Sequence, residues 1–114
     1  MAQALFDTIR TKAGTGGVIL STYTTIGGTL THPVRAFCII NNTNGDLFFS
    51  LDGVNDQLFV PANFFRLYDV STNAPPVKNL DSLLIGIGVQ FYVRYSTVPS
   101  SGAVYIETIY AKGE

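Results

Sequence analysis

The sequence contains few charged residues: only 13% of its 114 residues are Asp, Glu, Lys or Arg, about half of the roughly 25% that is typical of soluble proteins. The net charge is −1, and the seven Lys and Arg residues are scattered singly along the chain. The clustered positive charge that binds nucleic acid is therefore missing. No nucleic-acid partner is expected, and the polar part of the surface must come mainly from Thr, Ser and Asn.

Long hydrophobic runs and cysteines are also scarce. The longest apolar run covers residues 83–89, far fewer than the ~20 residues that cross a bilayer, so no membrane partner is expected. The N-terminus has no recognisable secretory signal, which favours synthesis in a host cytoplasm. The single cysteine, Cys38, stands among apolar residues and is expected to be a small buried hydrophobe, since one cysteine cannot build a disulfide framework.

Residues suited to catalysis are few. The one histidine, His32, stands directly before a proline at the expected start of a strand, and a partly exposed edge residue is the simplest interpretation. Cys38 lies about 20 Å further along the same expected strand, so the two side chains cannot form a Cys–His pair. The Asp- and Asn-containing stretch at residues 52–56 lacks the ligand spacing of a calcium loop. We expect no cofactor and no enzymatic activity.

From residue 17 onward the sequence predicts short strands separated by turns. The segments rich in β-branched, aromatic or alternating apolar residues are 18–25, 34–42, 47–51, 58–60, 64–70, 82–87, 89–96 and 103–111. Asn and Gly at residues 42–46 favour a hairpin between the second and third segments. A second turn is expected at residues 52–56, and residues 71–79 form the longest predicted loop. Seven or eight such strands predict an all-β fold, an antiparallel β-sandwich of jelly-roll-like type.

The N-terminal residues depart from this pattern. Three apolar side chains lie there at helical spacing: Leu5, Phe6 and Ile9. Residues 2–12 are therefore expected to form either a short amphipathic helix or an extended arm. A glycine-rich stretch, residues 13–17, follows as a flexible hinge. We divide the chain into an arm and hinge at residues 1–16 and a β-sandwich domain at residues 17–114.

Aromatic residues are plentiful, with eight Phe and six Tyr but no Trp. Two pairs of Phe are adjacent in expected strands, at positions 48 and 49 and at positions 64 and 65. Because neighbouring strand residues point to opposite faces, one Phe of each pair should face away from the core. Such residues are either buried on both faces of a sandwich or form an apolar surface that another subunit seals. The second interpretation gives these candidate interface residues: Leu5, Phe6, Ile9, Phe48, Phe64 and Tyr68.

The middle third of the chain carries a motif. The stretch SLDGVNDQLFVPAN at residues 50–63 contains an SxDGxxD turn that leads into a hydrophobic-x-VPAN segment. With its flanks, residues 49–73, it resembles small β-sandwich virion structural proteins of tailed bacteriophages. In that resemblance Asp52 and Gly53 form the turn, Pro61 is an edge-strand residue and Asn63 is a local cap. No catalytic residue is implied.

The resemblance implies assembly. It suggests a non-enzymatic virion protein that binds capsid, neck or tail proteins as a decoration or attachment subunit and forms a homo-oligomer, with residues 2–12 as its attachment arm. Two alternatives stay open: a tail or head fibre adaptor, and a carbohydrate- or receptor-binding module. The latter normally has aromatic residues in exposed loops, whereas the predicted loops at residues 71–79 and 97–102 contain none.

Overall fold

A computed structural model describes residues 4–15, 17–69 and 88–111 of the chain, and the regular structure of these residues consists of strands, without a helix. The strands are β1 (Ala4–Phe6), β2 (Arg10–Ala13), β3 (Thr24–Ile26), β4 (Val34–Thr43), β5 (Leu47–Ser50), β6 (Leu58–Val60), β7 (Phe64–Asp69), β8 (Phe91–Tyr95) and β9 (Gly102–Ala111). They form two antiparallel sheets.

The two sheets have jelly-roll topology. In sheet A, β9 and β4 are central, β7 lies at one edge, and β1 and β2 follow one another along the other side of β9. Sheet B has the order β3-β8-β5-β6. Outward from the β5–β6 hairpin, β4 pairs with β7, β3 with β8 and β2 with β9. The described strands thus form one long antiparallel ribbon rolled into two facing sheets, and the predicted β-sandwich fold class is confirmed.

The core between the sheets comes from alternate strand residues. In β9, Val104 and Ile106 are fully buried while Glu107 is exposed. In β8, Phe91 and Val93 are fully buried. The alternation predicted for these two segments is therefore confirmed. The other buried hydrophobic residues of the core are Ile19, Ile26, Leu30, Val34, Phe37, Ile39, Leu47, Phe49 and Val60.

The N-terminal arm is extended where the structure describes it. β1 and β2 both pair with β9, so their main-chain groups are satisfied by the sheet, whereas a helix of this length is marginal by itself. The Lys12 ammonium donates to the carbonyl of Thr25 at 3.0 Å, and the Arg10 Nε donates to the carbonyl of Gly28 at 3.1 Å. These side chains of β2 thereby join the edge of sheet A to the edge of sheet B.

The hairpin predicted between residues 34–42 and 47–51 is wrong. β4 belongs to sheet A and β5 to sheet B, so the turn between them carries the chain from one sheet to the other. A side chain on Gly45 would collide with the carbonyl oxygen of Thr97. The amide of Thr97 also donates to the carbonyl of Asp46. The turn is shaped by packing against the β8–β9 connection, which is distant in sequence.

The strand predicted at residues 18–25 is also too long. Only the last part is a strand, because the preceding residues cross the end of the sandwich toward β3. The amide of Tyr95 donates to the carbonyl of Leu20 at 3.0 Å, and Ile19 is buried in the core. This segment thus contributes to the core without belonging to a sheet.

The remaining predictions concern the middle of the chain. The turn predicted at residues 52–56 is present, and it closes a hairpin between β5 and β6. The strand predicted at residues 64–70 corresponds to β7. The predicted loop at residues 71–79 and the predicted strand at residues 82–87 lie outside the described residues.

Candidate interaction surface

A buried polar network fixes the turn between β6 and β7. The side chain of Asn41 in β4 is fully buried, and its amide nitrogen lies 2.9 Å from the carbonyl oxygens of Gly45 and Val60 and 3.1 Å from that of Pro61. Its Oδ1 accepts hydrogen bonds from the main-chain amide and the hydroxyl of Thr43. One side chain therefore connects the end of β4 to the end of β6 and to the turn that follows.

The turn itself depends on a left-handed residue. Asn63 has a φ of 56°, a conformation that Asn adopts more readily than most residues. The amide of Ala62 donates to the Asp46 carboxylate at 2.9 Å, and the amide of Asn63 donates to the carbonyl of Thr43 at 3.1 Å. This sharp turn takes the chain from the edge of sheet B to the edge of sheet A, so β6 and β7 become neighbours.

Exposed apolar side chains concentrate on these two strands. They are Phe59 (39% exposed), Phe64 (48%), Phe65 (59%) and Leu67 (66%); together with Arg66 they form what we name the β6–β7 edge. The Arg66 guanidinium lies 5.5 Å from the centroid of the Phe64 ring, and its Nε donates to the carbonyl of Phe59 at 2.9 Å. Because a whole aromatic side chain has a surface of about 150–250 Å², these exposed fractions correspond to about 400 Å² for the four apolar side chains together. Patches of this size on monomers are often functional.

Apolar residues continue from this edge across the outer face of sheet A. In the β4–β7 register, Leu67 lies opposite Cys38 and Phe65 lies opposite Ile40. Cys38 is half-buried rather than fully buried as expected, because it faces outward from the sheet. Burial raises the pKa of its thiol, and the neighbouring Glu107 carboxylate adds to this effect.

Three of the predicted interface residues lie at or near the β6–β7 edge. Phe64 belongs to it. Tyr68 is half-buried and stacks on Phe37 of the core, with ring centroids 4.9 Å apart. Phe48 is half-buried on sheet B, and its ring centroid lies 5.1 Å from that of Phe59. Neighbouring strands therefore bring residues from separate parts of the sequence to one side of the sandwich.

The other predicted interface residues belong to the opposite edge of sheet A. Phe6 in β1 is 79% exposed, and Ile9 just before β2 is 51% exposed. The side chain of Leu5 lies outside the described residues. Since β1 and β2 are separated from β7 by β9 and β4, the six predicted residues do not form one surface.

Two exposed residues of β7 were not among the predicted interface residues. Phe65 and Leu67 are more exposed than Phe64, because they lie on the outer face of sheet A. The strand alternation separates them from Phe64 and Tyr68. Tyr68 stacks on the core residue Phe37, which shows that the face of β7 carrying Phe65 and Leu67 is the outer one. The sequence alone does not contain this tertiary contact.

A second cluster lies on the outer face of sheet B. The Asp56 carboxylate accepts hydrogen bonds from the Arg94 Nε at 2.8 Å and from the Tyr23 hydroxyl. The bonds from Arg94 and then from Tyr23 lower the pKa of Asp56 to about 2. Burial, reinforced by Asp56, raises the pKa of Tyr23 to about 12. The Arg94 guanidinium also lies 4.7 Å from the Phe48 ring centroid. The polar groups of Tyr23, Asp56 and Arg94 are thus bonded to one another.

The DG turn of the motif is held by its own aspartate. The Asp52 Oδ1 accepts the amides of Val54 at 2.8 Å and Asn55 at 2.9 Å. Hydrogen bonds, the largest from the Asn55 amide and the next from the Ser50 hydroxyl, keep the pKa of Asp52 well below its usual range. The following Gly53 has a φ of 76°, which favours glycine. These residues shape a turn.

Within residues 4–15, 17–69 and 88–111, no group of three or more His, Cys, Asp or Glu side chains is placed to hold a metal ion. The same ranges contain no helix long and apolar enough to span a membrane. His32 is half-buried and stacks on Tyr110, with ring centroids 3.8 Å apart. Comparison of the chain with protein-family models, with curated proteins and with solved structures finds no match.

Proposed function

We propose that the protein is a non-enzymatic structural subunit of a tailed-bacteriophage virion, which attaches to capsid, neck or tail proteins through protein–protein contacts. The observation that carries this proposal is the β6–β7 edge, where four large apolar side chains are exposed on two neighbouring strands. The motif within residues 49–73 supplies the virion part of the proposal, since the proteins that it resembles are assembly subunits.

The edge has the physical properties of an attachment surface. Charged residues are depleted at the centre of protein interfaces and aromatic residues are enriched there. The edge contains one charged side chain, Arg66, whose Nε is already bonded to a carbonyl. The Asn41 network fixes the adjoining turn, so binding would cost little ordering of the chain.

A carbohydrate- or receptor-binding module is the second candidate. The observation in its favour is the half-exposed cluster of Tyr23, Arg94 and Phe48, where an aromatic ring lies beside polar groups. The Asp56 carboxylate in this cluster is engaged by both Tyr23 and Arg94, so a sugar would have to displace existing hydrogen bonds. The fibre-adaptor alternative uses the same apolar edge and differs in which virion protein is bound.

The test uses particles of the phage or prophage whose genome encodes the chain. Phe65→Lys places a charge on the β6–β7 edge. Val54→Lys is the matched control, because it places the same charge on an exposed apolar residue of the β5–β6 turn. Particles are purified on a density gradient, the chain in them is quantified by mass spectrometry, and thermal unfolding shows whether each purified variant is folded.

We expect the wild-type chain and Val54→Lys in the particles at the same stoichiometry. Phe65→Lys should be reduced about tenfold or more with an unchanged unfolding temperature, as expected for loss of a central interface residue. Particles that lack the wild-type chain would refute the virion proposal. Incorporation of Phe65→Lys at the control level would refute the assignment of the surface, and glycan binding lost in Arg94→Ala would favour the second candidate.

A further inference from the structure

Among the strands that the structure describes, β7 is at the edge of sheet A, and part of its main chain is directed outward. The amides of Asp7 and Gly14 donate to the carbonyls of Thr108 and Gly102, so the even-numbered residues of β9 bond toward the N-terminal strands. Ladder bonds alternate along an antiparallel strand. In the observed registers, the odd-numbered residues of β9 therefore bond to even-numbered residues of β4, and the odd-numbered residues of β4 bond to even-numbered residues of β7. The N–H and C=O groups of Phe65 and Leu67, which are odd-numbered, thus point away from the sheet.

The two edges of sheet B are protected against strand pairing in ways that β7 is not. At β3, the carbonyl of Thr25 already accepts a hydrogen bond from Lys12. β6 has only three residues and is followed by Pro61. Short edge strands and edge lysines are common means by which proteins prevent strand pairing between molecules. β7 has six residues, its Arg66 side chain turns back to β6, and no other strand among the described residues covers this edge.

We propose that β7 pairs with β7 of a second copy of this chain, antiparallel across a two-fold axis at Leu67, so that two A sheets become one continuous sheet. This inference deepens the proposed function, because it names a second copy as a partner of the same β6–β7 edge. The pairing itself needs no virion and is a property of the purified protein.

The side chains of β7 favour this register over one with its axis at Arg66. Directly opposite residues of antiparallel strands share a face, with Cβ atoms about 5 Å apart. An axis at Arg66 would place the two positively charged Arg66 residues directly opposite each other, which is unfavourable for like charges. An axis at Leu67 instead places the two Leu67 side chains opposite each other and Phe65 opposite the second copy's Asp69. On the other face it places Arg66 opposite the second copy's Tyr68, so that no like charges are directly opposed.

Area and charge both fit a second copy. Full coverage of the exposed apolar side chains of two edges would bury about 800 Å², and with the paired main chains the upper limit of the contact is close to the 1,000 Å² that specific interfaces reach. The described strand carries one cation, Arg66, and one anion, Asp69, so two antiparallel copies meet without excess charge. A two-fold contact of this kind is closed and stops at the dimer.

The association test uses the purified full chain in sedimentation equilibrium over about 1–300 μM, the range in which a contact of this size is measurable. The wild type should form dimers. Leu67→Lys should weaken the dimer about tenfold or more, because two ammonium groups would meet at the axis. Val98→Lys is the matched control, with an original side chain 64% exposed against 66% for Leu67, and it should dimerise like the wild type.

Cysteine cross-linking tests the register. Cys38 lies opposite Leu67 within the chain, so it is first replaced by Ser to prevent an internal disulfide. In that background, Leu67→Cys should form a disulfide-linked dimer on mild oxidation, because hydrogen-bonded strand partners have Cα atoms about 5.5 Å apart. Phe65→Cys should not, because the two substituted residues would lie about 13 Å apart along the strands. Circular dichroism confirms folding, and Leu67→Ser replaces Leu67→Lys if the latter does not fold.

A wild-type chain that stays monomeric throughout this concentration range overturns the proposal. So does a dimer that Leu67→Lys leaves intact, a trimer or larger ring, or cross-linking through Phe65→Cys in place of Leu67→Cys. A monomer in which Leu67→Cys is shielded from thiol reagents would mean that the chain covers its own β7, and this also overturns it. None of these outcomes affects the measurement of virion incorporation, so the proposed function is tested separately.

Discussion

Replacing Asn41 should destabilise the fold far more than a polar residue of one strand ordinarily would. Asn41→Leu keeps much of the volume but removes the buried amide that contacts the carbonyls of Val60 and Pro61 and the oxygen that accepts the amide of Thr43. The carbonyl of Gly45 keeps the Thr43 hydroxyl as a donor. Each buried group left without a partner costs about 1–3 kcal/mol, so the free energy of unfolding should fall by about 3 kcal/mol or more.

Asn41→Asp separates hydrogen bonding from packing. The carboxyl has nearly the shape of the amide but, when ionised, would face carbonyl oxygens in a buried site. Burial and these oxygens should raise the pKa of the carboxyl above its ordinary value. A raised pKa in the folded state means that the protonated form, which donates one hydrogen bond, is favoured by folding. The loss in free energy of unfolding of Asn41→Asp relative to the wild type should therefore be smallest near pH 4 and should grow as the pH rises toward about 7.

Urea unfolding measures both effects, followed by circular dichroism and tyrosine fluorescence because the chain contains no Trp. Asn42→Ala is the matched control, since Asn42 is the exposed neighbour in the same strand, and it should change the free energy of unfolding by no more than about 0.5 kcal/mol. A loss below about 1 kcal/mol in Asn41→Leu would show that the network is not needed for the β6–β7 turn. A loss in free energy of unfolding of Asn41→Asp that does not change with pH would show the same.

Two further predictions concern other polar groups. Thr108 has a buried hydroxyl oxygen without a hydrogen-bond partner among the described residues, so Thr108→Val should raise the free energy of unfolding by about 1 kcal/mol, and a clear decrease in urea unfolding would contradict this. The pKa of Asp56 falls from its ordinary 3.8 to about 2 in the folded chain, so its ionised form stabilises the fold above about pH 4, and this contribution is lost as the pH falls toward 2. The melting temperature of the wild type should decrease across that window more than that of Asp56→Asn, and parallel decreases would refute the role of the Asp56 bonds.

The sequence predicted those parts of the fold that depend on local pattern. The alternation in residues 89–96 and 103–111 identified β8, β9 and their buried faces correctly, because one face of each strand lies on the core. The Asp52 turn was also predictable, since the aspartate bonds to amides two and three residues ahead. Both features need no knowledge of distant residues.

The failed hairpin prediction shows where local pattern ends. Asn and Gly after β4 are equally suited to a hairpin and to a crossing between sheets. The choice is made by the carbonyl of Asp46, which accepts hydrogen bonds from the amides of Ser96 and Thr97. These partners are distant in sequence, so turn chemistry alone could not identify the crossing. Likewise, pairing with β9 decides that residues 4–13 are mostly strand.

The candidate site was predictable only as far as strand alternation reaches. The adjacent Phe64 and Phe65 require one ring to face outward, but both faces of β7 carry apolar residues. The register with β4 and the stacking of Tyr68 on Phe37 decide which face packs on the core. The strong exposure of Phe65 and Leu67 therefore follows from the tertiary structure.

The low charge of the chain takes on a structural meaning in this fold. Of its seven Lys and Arg residues, Arg10, Lys12 and Arg66 donate to main-chain carbonyls and Arg94 binds a carboxylate. These cations act as internal links between strands and turns. An added lysine at the edge of β7 would break none of these links, yet it would have to be desolvated or repelled when a partner approaches. A charge at Leu67 should therefore weaken association about tenfold or more while the internal links of the fold remain in place.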